Sequence, residues 1–295
     1  MIRNSEVGPS AGPYWSPQYR HSDVTTVTGG PERVRDNGAV VDDADSTDED
    51  APRSFRGAQF TGADFTGAVF RDCDLRGVKI ADSWLTDIDI SGLLGKVVVN
   101  DVDVVAYVEA ELDRRNPERI QLREMQTADE YRAMWDTVEQ LWSATLERAE
   151  SLPDGVPYER VGDEWSLVET LRHLVFVTDA WASRTVLDEP KPYHPLGYPH
   201  SSYPPDDAAE LGVEMDASPS FDEVLEARDS RLTVMRRILA DLTDAELERT
   251  CERPPAPGYP DETRTVGRCL GVVMREECEH RRYVERDLDR LEART

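Results

Sequence analysis

Positive charge is what this chain has least of. Against 60 aspartates and glutamates stand 34 lysines and arginines, only three of them lysines (Lys79, Lys96, Lys191), for a net charge of -26. Phosphate contacts need a basic surface, so this acidity argues against nucleic acid as a partner and disfavours an anionic membrane. Long apolar runs are missing as well. None approaches the roughly 18 residues of a membrane span, and the opening MIRNSEVGPSAGPYW lacks the apolar stretch of a secretory signal. The expected location is the cytoplasm. Cysteine is sparse: Cys73, Cys251, Cys269 and Cys278 form no Cys-x-x-Cys pair. That excludes a disulfide framework and reads as buried free thiols in a reducing compartment.

At 295 residues the chain has room for about two domains by the usual 100 to 200 residues each. Residues 1–50 are rich in Gly, Pro, Ser and Asp, end in DDADSTDED and show no apolar period, the composition of a disordered acidic tail. His21 falls in it and is discounted. A five-residue repeat fills 51–95: FRGAQ, FTGAD, FTGAV, FRDCD, LRGVK, IADSW, LTDID, ISGLL, with Phe55, Phe60, Phe65, Phe70, Leu75, Ile80, Leu85 and Ile90 in register. Neither a helix face nor strand alternation has that period. The segment resembles the pentapeptide-repeat family, which implies a short right-handed quadrilateral β-helix of about two coils, with the central and small residues of each pentad turned inward. Residues 96–120 read as a capping strand with an Asn-Asp turn, then a helix over VVAYVEAELDRR stopped by Asn116-Pro117.

From 121 to 295 the pattern is helical. Capping-box pairs mark three starts, Thr127 with Glu130, Ser166 with Glu169 and Ser220 with Glu223, for helices running to about 150, 187 and 241. A short helix follows Thr243, and a long one spans about 265–292. The Pro-rich connection 188–219 is expected to lie over one end of an all-α four-helix bundle.

Two segments carry candidate chemistry. On the last helix the apolar stripe through Val273 and Val284 is interrupted by REECEHRRY, which places Glu276 and His280 one turn apart on one side. On the second helix His173 sits within a nearly apolar run, at or inside the edge of the buried face, with Arg172 and Asp179 marking the expected solvent side. Two imidazoles and a carboxylate with open positions suit Zn²⁺, Ni²⁺ or Fe²⁺. Taken singly, a lone helical His is a hydrogen-bonded core residue, and Glu-x-x-x-His a helix-surface pair. Glu277 reads either as a second carboxylate orienting a ligand or as a partner of Arg281 at i+4. Glu279 reads as solvated, and Cys278 as packing. His194, Tyr198 and His200, with Tyr193 and Tyr203, are candidates to line the mouth of the site.

The residues EWSLVETLRHL (164–174) and REECEHRRYVERDL (275–288) make the stretch from about 121 to 292 resemble the DinB/YfiT-like family of four-helix metalloenzymes. Its His, Glu, His version is similar to the mycothiol-dependent maleylpyruvate isomerase branch. Relatives have Trp and a second His where this chain has Cys278 and Arg281. The resemblance implies His173, Glu276 and His280 as metal ligands. It further implies a metal-dependent transferase or isomerase that joins a low-molecular-weight thiol, of mycothiol type, to a small-molecule electrophile. Two other readings compete: a metal hydrolase on the same residues, and a non-catalytic module whose repeat coil is a docking or homodimer surface.

Overall fold

The computed structural model describes residues 54–294 apart from 72, 163, 201, 202 and 261, so the expected acidic tail and His21 lie outside the described residues. The chain forms two compact units, Met1–Val105 and Ala106–Thr295.

In the first unit the five-residue period becomes a period of turns. The amides of Ala58, Ala68 and Val78 bond the carbonyls of Phe55, Phe65 and Leu75 at 3.0, 3.0 and 3.1 Å. The third residue of each turn is Gly57, Gly67 or Gly77, at φ of 73, 76 and 79°. That left-handed position in a type II turn favours glycine. Phe55, Phe60 and Phe65 meet in sequence, with ring centroids 6.2 and 5.3 Å apart. No ladder strand is assigned among the described residues of 54–92. The column expected to turn inward, Phe55 to Ile90, is 49–66% exposed, so the inward-facing coil of the expected β-helix is not formed among these residues. Cys73, at a small-residue position of the same repeat, is exposed and not buried as expected. A hairpin follows, β1 (Val98–Val99) paired antiparallel with β2 (Val102–Asp103). Asn100 and Asp101 take the positive φ values, 48 and 65°, that a two-residue hairpin turn needs.

The second unit is helical: α1 (Val105–Arg115, its first residue closing the first unit), α2 (Glu118–Glu124), α3 (Ala128–Glu150), α4 (Leu167–Thr178), α5 (Pro205–Leu211), α6 (Phe221–Asp241), α7 (Asp244–Leu247) and α8 (Val266–Glu292). Two-residue strands β3 (Thr250–Cys251) and β4 (Arg264–Thr265) pair just before α8. All three expected capping boxes form, with Thr127, Ser166 and Ser220 each accepting from the amide of the Glu three residues on. The long helices pack α3 on α6 and α8, and α4 on α6 and α8. Leu171, Leu174, Met235, Leu270 and Met274 fill the space between them with no exposed surface, each stabilising the fold by about 1.5–3 kcal/mol.

Two features of the second long helix depart from expectation. It leaves α geometry at Asp179 and continues to Val186 as a π-helix, in which the Thr185 hydroxyl donates to the Ala180 carbonyl at 3.0 Å. Its expected solvent side is also buried, Arg172 being 4% and Asp179 1% exposed. The Pro-rich connection folds back over that side. Arg172 donates to the carbonyls of Leu196, Glu214, Met215 and Ala217 at 2.8–3.2 Å. Asp179 takes Arg231 at 2.8 and 3.0 Å and the His194 amide at 2.8 Å. A helix covered on every side needs partners for its charges, and these two have them.

Candidate metal centre

The site begins at the start of α4. Ser166 and Glu169 cap each other, and Arg160 ties down the same Glu169 carboxylate, which fixes the first turn and the Trp165 that precedes it. Two turns on, His173 is buried and its Nδ1 lies 2.9 Å from the Tyr198 carbonyl oxygen. A carbonyl can only accept, so Nδ1 carries the hydrogen, and in the neutral ring Nε2 presents a lone pair. Burial pushes the His173 pKa down, against the opposing pull of Glu276.

That lone pair faces α8. Glu276 Oε2 is 3.7 Å from His173 Nε2 and 3.1 Å from His280 Nε2, and ligand atoms of the three residues all lie within 4.8 Å of one another. Burial alone would raise the Glu276 carboxyl, but the two imidazoles outweigh it and hold its pKa well below the usual carboxylate range. At 3.7 Å, His173 Nε2 and Glu276 Oε2 are too far apart for a direct hydrogen bond, and with the ring neutral both are acceptors. Metal–ligand bonds of about 2.0–2.1 Å separate tetrahedral ligand atoms by about 3.4 Å, and the two separations here, 3.1 and 3.7 Å, straddle that value. The donor set fits a divalent cation, and the hydrogen bond from Nδ1 to a backbone carbonyl is the outer contact such a histidine uses.

Aromatic rings wall the cluster. Trp165 stacks on His280 with centroids 5.8 Å apart at 12°, and lies 4.9 Å from His173 and 5.6 Å from Tyr198. Tyr283 meets His280 edge-on at 6.4 Å and carries Arg282 and Arg286 over its ring, 4.5 and 5.2 Å from its centroid.

The other candidates fall elsewhere. Tyr198 reaches the site chiefly through its carbonyl. The amide of His194 donates to Asp179, while its Nδ1 accepts the Leu196 amide at 3.1 Å, and the His200 ring packs edge-on against Tyr203 at 5.5 Å. Neither joins the three-residue cluster. Glu277 pairs with Arg228 on α6 and not with Arg281. Arg281 reaches α3 instead, bonding the Leu141 carbonyl at 3.0 Å and the Thr145 hydroxyl at 2.8 Å. Glu279 keeps about a third of its side chain in solvent (33% exposed) and also pairs with Arg119 at 3.0 Å and Arg282 at 2.8 Å. Burial pushes the Cys278 thiol up to about 12, so it packs as a neutral group. Sequence reasoning passed over Trp165, although it stands in the quoted EWS immediately before the helix cap, and Arg228, whose polar type inside an apolar face was the available signal.

The comparisons with known proteins agree with this geometry. A family model described as the DinB superfamily matches residues 137–284, and one described as pentapeptide repeats matches 54–92 in eight copies. No curated protein and no solved structure matches the chain. The first match covers half of the chain and includes His173, Glu276 and His280, so the chain belongs to the DinB superfamily, with a pentapeptide-repeat segment ahead of its helical domain.

Proposed function

We propose that the helical domain, read as a four-helix bundle of α3, α4, α6 and α8, is a metal-dependent transferase or isomerase. Zn²⁺, Ni²⁺ or Fe²⁺ would be held by His173 Nε2, Glu276 and His280 Nε2, and a low-molecular-weight thiol of mycothiol type would react with an electrophilic small molecule. Bound there, the cation supplies Lewis acidity that lowers the pKa of a thiol or of water. The residues do the rest. Tyr198 fixes the His173 tautomer, Glu276 brings the negative charge that balances the cation, and Trp165 shields both imidazoles from water. The observation that carries this reading is the facing pair of acceptors, His173 Nε2 and Glu276 Oε2, which a cation would satisfy.

The test is elemental analysis after expression in metal-supplemented medium. Wild type should carry close to one metal per chain and His173→Ala and Glu276→Ala far less; equal content in all three refutes the proposal. Metal-loaded protein assayed for thiol conjugation and for hydrolysis of simple esters and amides then separates the transferase from a hydrolase on the same residues.

A second reading concerns the repeat. Its half-exposed apolar column favours a quadrilateral coil that docks against a second copy of the chain. Sedimentation of a variant lacking residues 1–95 decides it: an unchanged oligomeric state removes the role.

A further inference from the structure

Glu277 follows Glu276 on α8 and points about 100° away from it around the helix. Its carboxylate is 0% exposed and accepts two hydrogen bonds from the Arg228 guanidinium on α6, one of 2.8 Å through Nη1 and a shorter one through Nη2. Arg228 is buried too and lies 5.3 Å over the Trp142 ring of α3. Both α6 and α8 pack along α3 and α4, so the ion pair crosses the interior between two helices that share no extended packing of their own.

Stability alone does not account for such a pair. Desolvating two charges costs several kcal/mol, and an apolar pair of equal volume is often as stable or more so. What the pair adds is geometry, because a planar fork seated on a carboxylate fixes direction as well as distance. We propose that Arg228 and Glu277 form a positioning pair that sets the rotation of α8, and through it the placement of Glu276 and His280 opposite His173. The proposal rests on the metal reading of those three residues. A 20° rotation of α8 would carry a carboxylate about 6 Å from the helix axis through about 2 Å. Metal–ligand distances tolerate only about 0.2 Å. The other polar contacts that hold this stretch of α8, from Glu279 to Arg119 and from Arg281 to Leu141 and Thr145, lie in partly buried surroundings, where water competes for them.

The experiment compares wild type with R228M/E277L and R228K, reading thermal unfolding and Zn²⁺ affinity by competition with a chelating dye. R228M/E277L should unfold at or above the wild-type midpoint yet bind Zn²⁺ at least tenfold more weakly. R228K, which keeps the charge without the fork, should fall between the two. Wild-type affinity in the double variant overturns the proposal. If wild type itself takes up none of Zn²⁺, Ni²⁺ or Fe²⁺, the metal reading fails alone, and positioning is read from the proton Overhauser contact between the His173 and His280 rings, whose centroids are 4.7 Å apart. Loss of that contact in R228M/E277L supports the pair's role, and its retention overturns it. Should the double variant not fold, R228K is judged by the same two measurements.

Discussion

Arg172 offers the sharpest test of how the Pro-rich connection 188–219, a strap over α4, is tied to the site. Its guanidinium donates to four backbone carbonyls of the 196–217 stretch, and the Tyr198 amide bonds the Arg172 carbonyl at 3.0 Å. Tyr198 in turn supplies the carbonyl that holds His173. Replacing Arg172 with Ala removes a buried charged donor from four carbonyls, three on half-buried residues and one on the exposed Glu214. Hydrogen bonds to charged groups contribute about 1.5–3 kcal/mol each, so the simple sum is about 6–12 kcal/mol. Removing the guanidinium also removes the cost of burying it, which is several kcal/mol. The net expectation is a loss of about 3–5 kcal/mol, or a fall in midpoint of roughly 10 °C for a domain of this size. Urea unfolding followed by far-ultraviolet circular dichroism measures it. Metal content should fall with it, since the His173 ring loses its fixed tautomer. A destabilisation below about 1 kcal/mol would show that the strap is held by its apolar contacts, and the reasoning about Arg172 would be refuted.

Two further outcomes follow from the same neighbourhood. Trp165 stacks directly on His280, so adding Ni²⁺ to the metal-free protein should quench part of the indole fluorescence, and W165F should lose that part; equal quenching in both proteins puts the metal elsewhere. Burial raises the Asp179 carboxyl from 3.8 to about 6 in the folded chain, against the opposing pull of Arg231. A carboxyl with a raised folded pKa binds its proton more tightly when folded, so its contribution to stability declines as pH rises from about 4 to about 6. Denaturant midpoints across that interval should show the decline in wild type relative to D179N, and parallel profiles would contradict the assignment.

Local rules were readable in the chain wherever a residue acts on its own neighbours. The three capping boxes, the Asn100-Asp101 turn and the Glu276/His280 pair all depend on spacing within one element, and spacing is what a sequence displays. The repeat was equally visible, because its period matches no helix or strand. Long-range burial was not. Arg172 and Asp179 carry the side chains of a solvent face, and the folding back of the Pro-rich connection, with Arg231 from α6, turns that face inward. Likewise Glu277 has an arginine at i+4 in the chain but a better-placed one, Arg228, on another helix. A pairing that skips forty-nine residues leaves no local trace.

The same overlay explains why one site can be assembled from weak signals. His173 alone is a buried polar residue that needs one partner, and the Tyr198 carbonyl supplies it through Nδ1. Nε2 then lies 3.7 Å from Glu276 Oε2, and in the neutral ring the two face each other as acceptors that a proton or a cation between them would satisfy. Packing cannot relieve the conflict. His173 is held by the Pro-rich connection through the Tyr198 carbonyl, and Glu276 belongs to a helix held from α6 by the buried Glu277–Arg228 pair, with weaker, partly buried contacts to α3 and α2 through Arg281 and Glu279. On the proposed metal reading, two supports that hold these acceptors together favour a ligand between them, and R172A and R228M/E277L each remove one of those supports.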